Sequence, residues 1–551
     1  MHKKIRFQTS FKLTVVAAIV VTIFGWFAFT PTMAESGVTK LSDIQVLGGN
    51  VSSFEISADN HWAVYLADGD TDEVKELYSV LVNGIGLPTK LNTPLVFGRE
   101  VREDFQISAD SNRVLYLTDQ GTDDVFELYS VPINGSAPPV KLNNPLVSGY
   151  GVFYGYQVSA DSSRVVYQAD ENLDYVLELY SVPIDGSAPP IQINTPMPSG
   201  HYLSSFQISS NSNTVVYRAD QDTIGVHELY SVPIDGSTLP TKLNGTHVGN
   251  VDYFQISIDG SQVVYSIKEN LMGYLTELYS VPIDGSAAPI KLNDILGPGG
   301  TLGSYFKIST GSNRVIYLSD YDYMSDPELY SVPIDGSTAP IKLNGALVYG
   351  GMIKEYQISA DGNQVVYRAD QDTMYVDELY SVPIDGSIAP VKLNGTLVGG
   401  GIVNNYQIST DSSQVIYLAD QDTDEIYELY SGPIDGNTIP IKLNGTLVND
   451  GDVWSYKISV DSNRVVYLAD QDIDRVNELY GVPIDGGNPA TKLNGTLTSD
   501  GDVRDYQISA NNNWVVYTAD QDADEVVELY AYGESLVEIY TQYLPIIVRN
   551  D

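Results

Sequence analysis

The decapeptide ELYSVPIDGS occupies residues 178–187 and recurs unchanged at Glu228, Glu277, Glu328 and Glu378. The steps between successive copies are 50, 49, 51 and 50 residues. A string repeated at a fixed period indicates one structural unit copied along the chain, whereas an enzyme site needs different residues that converge on one point. The fold is therefore decided by the unit inside this period.

One period contains four short strands. Residues 404–444 read as the strands NNYQIST, QVIYLAD, YELYSGPI and IPIKLN, separated by turn residues such as DSS and DGN. Alternating polar and apolar residues, with many β-branched and aromatic side chains, predict strands, and no segment of the repeat shows a helical stripe. A tyrosine in the second strand marks ten copies: Tyr65, Tyr116, Tyr167, Tyr217, Tyr265, Tyr317, Tyr367, Tyr417, Tyr467 and Tyr517.

A four-stranded antiparallel unit of about 50 residues, repeated many times, is typical of a β-propeller blade. The sequence therefore predicts an all-β protein of ten blades over residues 35–535. The tenth copy lacks its fourth strand after Tyr530, and TKLSD at residues 39–43 resembles TKLNG at residues 491–495. This match favours one ring closed by the N-terminal segment. Two smaller propellers, or closure by Leu536–Tyr540, are the alternatives.

The segment ISADSNRVLYLTDQGTDDVFELYSVPINGSAPPVKLN, from Ile107 to Asn143, resembles the WD-like propeller repeat of the TolB type. Similar repeats form the propeller domains of prolyl oligopeptidase and dipeptidyl peptidase relatives. The resemblance covers about residues 51–530 and implies the propeller fold. It does not imply peptidase activity, because the hydrolytic residues of those relatives lie in a separate domain that has no counterpart here.

Residues 1–34 have the features of a secretory signal peptide. Four basic residues flank or precede the apolar run Leu13–Phe29, and small residues follow it. An uncleaved membrane anchor is the alternative, since this run approaches spanning length. We expect a periplasmic, cell-surface or extracellular protein without a membrane span after cleavage. The chain ends in residues 536–551, a C-terminal strand or tail that includes the apolar YLPIIVRN.

The chain is strongly acidic. Its formal net charge is -42, and loss of residues 1–34 removes four positive charges and no acidic ones, which gives −46. Such a surface repels nucleic acid and favours cations. With no cysteine, the fold is held by packing rather than by disulfides. We expect a monomer whose partner is a protein or a surface polymer.

The sequence favours a non-enzymatic interaction scaffold that needs no cofactor. Its five histidines stand at unrelated positions of the repeat, and no Gly-x-Ser-x-Gly segment occurs. The segments that vary between copies are rich in glycine, tyrosine and small residues, as in MPSGHYLSS at 197–205. The alternative is a propeller enzyme with a central-channel site that acts on a sugar or a peptide.

Weak calcium binding is a further hypothesis. Several loops between the second and third strands carry alternate carboxylates, a pattern that resembles the start of the calcium loops of EF-hand and integrin-type propeller repeats. The candidate ligands are Asp68, Asp70, Asp72, Asp420, Asp422, Asp424, Asp470, Asp472, Asp474, Asp520, Asp522 and Asp524. The usual turn glycine is replaced by Glu73, Glu425, Arg475 and Glu525. The alternative is a hydrated acidic loop that protects strand edges from aggregation.

Overall fold

The computed structural model describes residues 36–43, 49–122, 124–146, 151–172, 176–246, 249–268, 275–294, 296, 299–322, 326–499, 501–523 and 525–534. These residues hold forty β-strands and no helix, so none of them forms a helix that could cross a membrane. Apart from Ser36, Gly37 and Glu534 at the ends of two strands, the blades lie within the compact unit Val38–Gly533. The predicted signal peptide and the rival closing strand Leu536–Tyr540 lie outside the described residues.

The strands follow the repeat along the chain, beginning with β1 (Ser36–Lys40). The first five blades are β2–β5 (Val51–Ile56, Trp62–Ala67, Glu76–Leu81, Thr89–Lys90), β6–β9 (Gln106–Ile107, Arg113–Thr122, Val125–Pro132, Val140–Lys141), β10–β13 (Val152–Val158, Arg164–Ala169, Glu178–Pro183, Ile191–Gln192), β14–β17 (Leu203–Ile208, Thr214–Ala219, Glu228–Pro233, Thr241–Lys242) and β18–β21 (Asn250–Ile256, Gln262–Lys268, Leu275–Pro282, Ile290–Lys291).

The second half of the chain repeats this arrangement. Its blades are β22–β25 (Gly299–Ile308, Arg314–Asp322, Glu328–Pro333, Ile341–Lys342), β26–β29 (Ile353–Ile358, Gln364–Ala369, Glu378–Pro383, Val391–Lys392), β30–β33 (Val403–Ile408, Gln414–Ala419, Glu428–Pro433, Ile441–Lys442), β34–β37 (Val453–Ile458, Arg464–Ala469, Glu478–Pro483, Thr491–Lys492) and β38–β40 (Val503–Ile508, Trp514–Ala519, Glu528–Glu534). Ten four-stranded antiparallel sheets form one ring, which confirms the predicted ten-bladed β-propeller.

The core lies both within and between blades. In the first blade Tyr65 and Tyr78 stand opposite each other on the second and third strands, with ring centroids 5.3 Å apart. Every blade has this stacked tyrosine pair. The neighbouring Val64 points the other way and packs with Tyr116 of the second blade. Alternation along one strand thus joins each blade to the next.

The repeated decapeptide attaches the short fourth strand to the third. In the seventh blade the buried Glu378 pairs with Lys392 of the fourth strand at 2.7 Å. The backbone N–H that follows Glu378 donates to Asn394 Oδ1 at 2.9 Å. Gly386, in the turn, has a φ of 63°, and a Cβ there would come within 3.0 Å of Ile341 in the preceding blade. Each constant part of the decapeptide therefore makes a defined contact.

The N-terminal segment closes the tenth blade, as the sequence predicts. That sheet has the strand order β1-β40-β39-β38, so β1 is its fourth strand. Lys40 pairs with Glu528 at 2.5 Å, and the N–H of Leu529 donates to Ser42 Oγ at 2.9 Å. Ser42 thus takes the place that asparagine holds in the other blades.

The first strands of neighbouring blades are linked by side chains, and these links show that there is one ring. Gln507 Nε2 of the tenth blade donates to the carbonyl of Phe54 in the first at 2.8 Å, and Ile56 N–H donates back to Gln507 Oε1 at 3.3 Å. The same contact joins the fifth and sixth blades, where Ile308 N–H donates to Gln255 Oε1 at 3.2 Å. The contacts between neighbouring blades continue from the fifth blade to the sixth. The alternative of two smaller propellers is therefore wrong.

Deletion of residues 36–43 should destabilise the whole ring, because it removes the fourth strand of the tenth blade and exposes a sheet edge. Ser42→Asn should stabilise it by about 1 kcal/mol, since the added amide can donate to the next carbonyl, as Asn92 does to Thr93. Thermal and urea unfolding of the two variants measures both effects. An unchanged melting temperature in the deletion would contradict closure by β1.

Candidate functional site

Each blade presents two kinds of connection at opposite ends. The loop from the second to the third strand and the connection from the fourth strand to the next blade lie at the same end, because consecutive strands are antiparallel. We call this end the loop face. The two remaining turns of each blade form the turn face. The candidate calcium ligands that the structure describes all lie on the loop face.

The first aspartate acts as a backbone clamp in three of the four calcium candidate sets, and Asp520 in the fourth accepts the N–H of Asp502. Asp420 Oδ1 accepts the N–H of Ile402 at 2.5 Å, and its Oδ2 accepts the N–H of Glu425 at 3.3 Å. Glu425 has a φ of 64°, so the sharp turn forms without glycine. Asp68 and Asp470 make the same pair of contacts. The carboxylate thereby holds the loop against the start of the first strand.

The other aspartates point to different partners. Those in second position pair with a lysine of the fourth strand, at 2.7 to 3.1 Å: Asp70 with Lys90, Asp422 with Lys442, Asp472 with Lys492 and Asp522 with Lys40. Asp72, Asp424 and Asp474 are exposed, and Asp524 lies outside the described residues. In the part of the chain that the structure describes, no three His, Cys, Asp or Glu side chains form a group able to hold a metal ion. Calcium binding stays a prediction, and it would require the second aspartate to leave its lysine.

The seventh blade departs most clearly from the repeat on the loop face. Tyr349, Met352, Met374 and Tyr375, which we call the Tyr–Met patch, are exposed, and Tyr349 and Tyr375 are 96% and 77% accessible. The clamp aspartate Asp370 is 1% accessible and accepts the N–H groups of Met352, at 2.5 Å, and of Tyr375, at 3.2 Å. One buried carboxylate therefore fixes both loops that carry the patch.

A charged group lies beside this patch. Arg368 Nε donates to Glu355 at 2.9 Å, and its Nη1 donates to Asp377 at 2.9 Å and to the carbonyl of Val403 in the next blade at 3.2 Å. Lys354 Nζ is 3.8 Å from Asp377. Burial raises the pKa of Asp377, and the nearby Lys354 and Arg368 oppose that shift. The guanidinium group joins two blades and compensates the buried carboxylate.

The fourth blade brings together two histidines that sequence reasoning treats as scattered. His201 Nδ1 lies 2.7 Å from the carbonyl of Asp220, and the ring of Tyr202 stands edge-on to His227, with centroids 6.3 Å apart. Burial, together with nearby Arg218, lowers the pKa of His227. Aligning the copies could have found this site, because His201 lies just before the first strand and His227 just before the third, and both strands pair with the second strand.

The exposed apolar side chains differ between the two faces. Among the described residues, the exposed aromatic and methionine side chains all lie on the loop face or on first strands: Phe97, Tyr202, Tyr305, Tyr349, Met352, Met374, Tyr375 and Trp454. The large apolar side chains exposed on the turn face are all aliphatic: Ile85, Leu87, Leu239, Ile258, Ile388, Ile439 and Val460. The loop face therefore carries the side chains that protein interfaces favour.

Comparison with known proteins gives similarity to solved propellers at low identity. A dipeptidyl peptidase 4 from Porphyromonas gingivalis is 12% identical, with a TM-score of 0.45, over 66% of this chain and 56% of that chain. A eukaryotic initiation factor is 12% identical, with a TM-score of 0.47, over 80% and 96%. A putative TolB from Agrobacterium tumefaciens is 14% identical, with a TM-score of 0.27, over 53% and 93%.

The chain thus spans little more than half the length of the peptidase. No family model matches it, and no curated protein matches it.

Asp420→Asn should lower the free energy of unfolding by about 1 kcal/mol, because an amide with a single acceptor oxygen leaves one of the two part-buried N–H donors without its charged acceptor. Asp424→Asn, at an exposed position, should change it little. Urea unfolding in a chelator and in about 1 mM calcium measures both. A calcium-dependent stabilisation of the wild type that both variants lose would instead support calcium sites.

Proposed function

We propose that the chain is an exported, non-enzymatic scaffold whose loop face binds another protein, with the Tyr–Met patch as the main contact. The observation that carries this proposal is the segregation of exposed aromatic and methionine side chains to the loop face and the first strands. Aromatic residues and methionine are enriched in protein interfaces, and methionine adapts to varied partners.

The geometry of the patch supports binding with little loss of conformational freedom. Asp370 holds the backbone of both loops, and a Cβ on Gly350 would lie 3.1 Å from the Met374 side chain, so the loops are in contact. A surface that is ordered before binding loses less conformational entropy when it binds a partner. The strongly acidic chain further favours a partner with basic residues around its contact surface.

The enzyme alternative has one specific observation in its favour. His201 contacts the carbonyl of Asp220 in the fourth blade, the Asp220 carboxylate also acts electrostatically on His227, and burial lowers the pKa of His227 toward its neutral form. Neutral imidazole is the usual general base near neutral pH. The scaffold proposal predicts that His227→Ala leaves partner binding unchanged.

Replacement of Tyr349 by Ala together with Tyr375 by Gly should weaken partner binding by about 2 kcal/mol or more, as expected for aromatic anchors. The glycine matches Gly225 in the fourth blade and suits the φ of 66° at Tyr375, so the melting temperature should not fall. A photo-cross-linker at Tyr349 of the full chain identifies the partner in envelope and medium fractions, and titration of the purified partner gives the affinities.

The matched control is Leu239→Ala with Ile439→Ala on the turn face, where the side chains are equally exposed. Loss of binding in this control, with none in the patch variant, would overturn the assignment of the contact surface.

A further inference from the structure

A cavity of about 520 Å³ opens between the tenth and first blades on the loop face. We call it the seam cavity. Its volume falls in the range of small-molecule pockets. Six of the residues that line it are Val51, Ser52, Arg504, Asp505, Thr518 and Glu525. The buried Thr518 and Val51 form its floor, and the four others are exposed at its rim.

The same place in two other blades is filled by an arginine of this chain. Thr518 stands in the second strand opposite Asp505 of the first strand. The corresponding pair in the seventh blade is Arg368 opposite Glu355, and in the fourth blade Arg218 takes the position of Thr518. The first strand is irregular beside each of these residues, so the three sites share one backbone geometry.

The contacts of Arg368 and Arg218 indicate which chemical group fits this position. Arg368 Nε donates to Glu355, and its Nη1 donates to the carbonyl of Val403 in the next blade at 3.2 Å. Arg218 Nη1 likewise contacts the carbonyl of Val251 in the fifth blade at 3.3 Å. The residue that corresponds to these valines at the tenth blade's neighbour is Val51, which lines the seam cavity.

We propose that the seam cavity binds the guanidinium group of an arginine side chain presented by another protein. Asp505 takes the role of Glu355, the carbonyl of Val51 takes that of Val403, and Thr518 is small enough to leave room for a side chain from outside. Glu525 supplies a second carboxylate. A planar guanidinium group with five donors suits this set of acceptors better than an ammonium group does.

Two cations of the chain lie near these acceptors. Arg504 is 3.4 Å from Asp520, and Lys457 is 3.5 Å from Asp505. Lys457 also donates to the carbonyl of Tyr506, so its ammonium group is shared between two acceptors. Neither cation reproduces the contact that Arg368 makes with a carbonyl of the following blade. An arginine from another protein presumes the proposed protein-binding function, but the seam cavity shares no residue with the Tyr–Met patch.

The test is calorimetric titration of the full chain with Nα-acetyl-arginine methylamide. Saturable binding at least about tenfold tighter than that of the matched lysine compound is expected, because only guanidinium forms the planar set of hydrogen bonds. Equal affinity for the two compounds would overturn the proposal. The guanidinium group could come from an arginine within a protein chain or from the free amino acid. Free arginine should bind more weakly than Nα-acetyl-arginine methylamide, and equal or tighter binding of free arginine would overturn the assignment to a protein chain.

Thr518→Arg should abolish the binding and raise the melting temperature, because the new side chain can repeat the contacts of Arg368. Thr518→Ser leaves the cavity open, because serine is also small, and this variant should bind the arginine compound with wild-type affinity. Asp505→Asn tests the carboxylate without filling the cavity and should weaken binding about tenfold. Wild-type affinity in both Thr518→Arg and Asp505→Asn would overturn the proposal. Tyr349→Ala, in the Tyr–Met patch, should bind the arginine compound with wild-type affinity. A loss of partner binding in this variant therefore tests the proposed function, whereas titration with the arginine compound tests the seam cavity.

Discussion

The ring depends on the attachment of a short fourth strand to the third strand of each blade, and in nine of the ten blades this strand has only two residues. So short a strand forms few ladder hydrogen bonds, and the structure supplements them with a buried glutamate–lysine pair and an asparagine that accepts a backbone N–H, as at Glu378, Lys392 and Asn394. Leaving such a buried carboxylate without its partner is costly. The third blade, with Gln192 in place of the lysine, satisfies Glu178 through Asn172 instead. Because the same attachment holds β1 in the tenth blade, the closure of the ring rests on it too.

A second constraint acts on the first strands, whose edges face away from the rest of their own sheet. A glutamine such as Gln157 links this edge to the next blade. Its side chain donates to the carbonyl of Phe206 and accepts the N–H of Ile208 there. An amide side chain carries both a donor and an acceptor, so it makes both contacts. Lys307 at this position donates only. Glu55 accepts only, from Ile107, and burial raises the pKa of its carboxyl group against that hydrogen bond.

The sequence predicts the blades and the closure well, because both depend on local alternation and on matching ends of the chain. It says little about where a carboxylate points. The spacing of Asp420, Asp422 and Asp424 suggests one metal centre, yet the fold turns the first to backbone N–H groups and the second to Lys442. The missing glycine is equally uninformative, since Glu425 adopts the left-handed conformation while its N–H is held by Asp420. Contacts between loops and strands of one blade decide these outcomes, and they join residues 5, 18 and 20 positions apart, which the spacing of the aspartates alone does not reveal.

The departures from the repeat share a physical cause. In the fourth, seventh and tenth blades they centre on Arg218, Arg368 and Thr518, at the point where the second strand meets an irregular stretch of the first strand and the next blade begins. The clamp and the tyrosine stack fix the backbone on either side, so the side chain at this point changes without disturbing the blade. An arginine there binds the next blade, and a threonine leaves an opening. The side chain at this point therefore varies between blades where neighbouring blades meet on the loop face, the surface that we propose binds a partner.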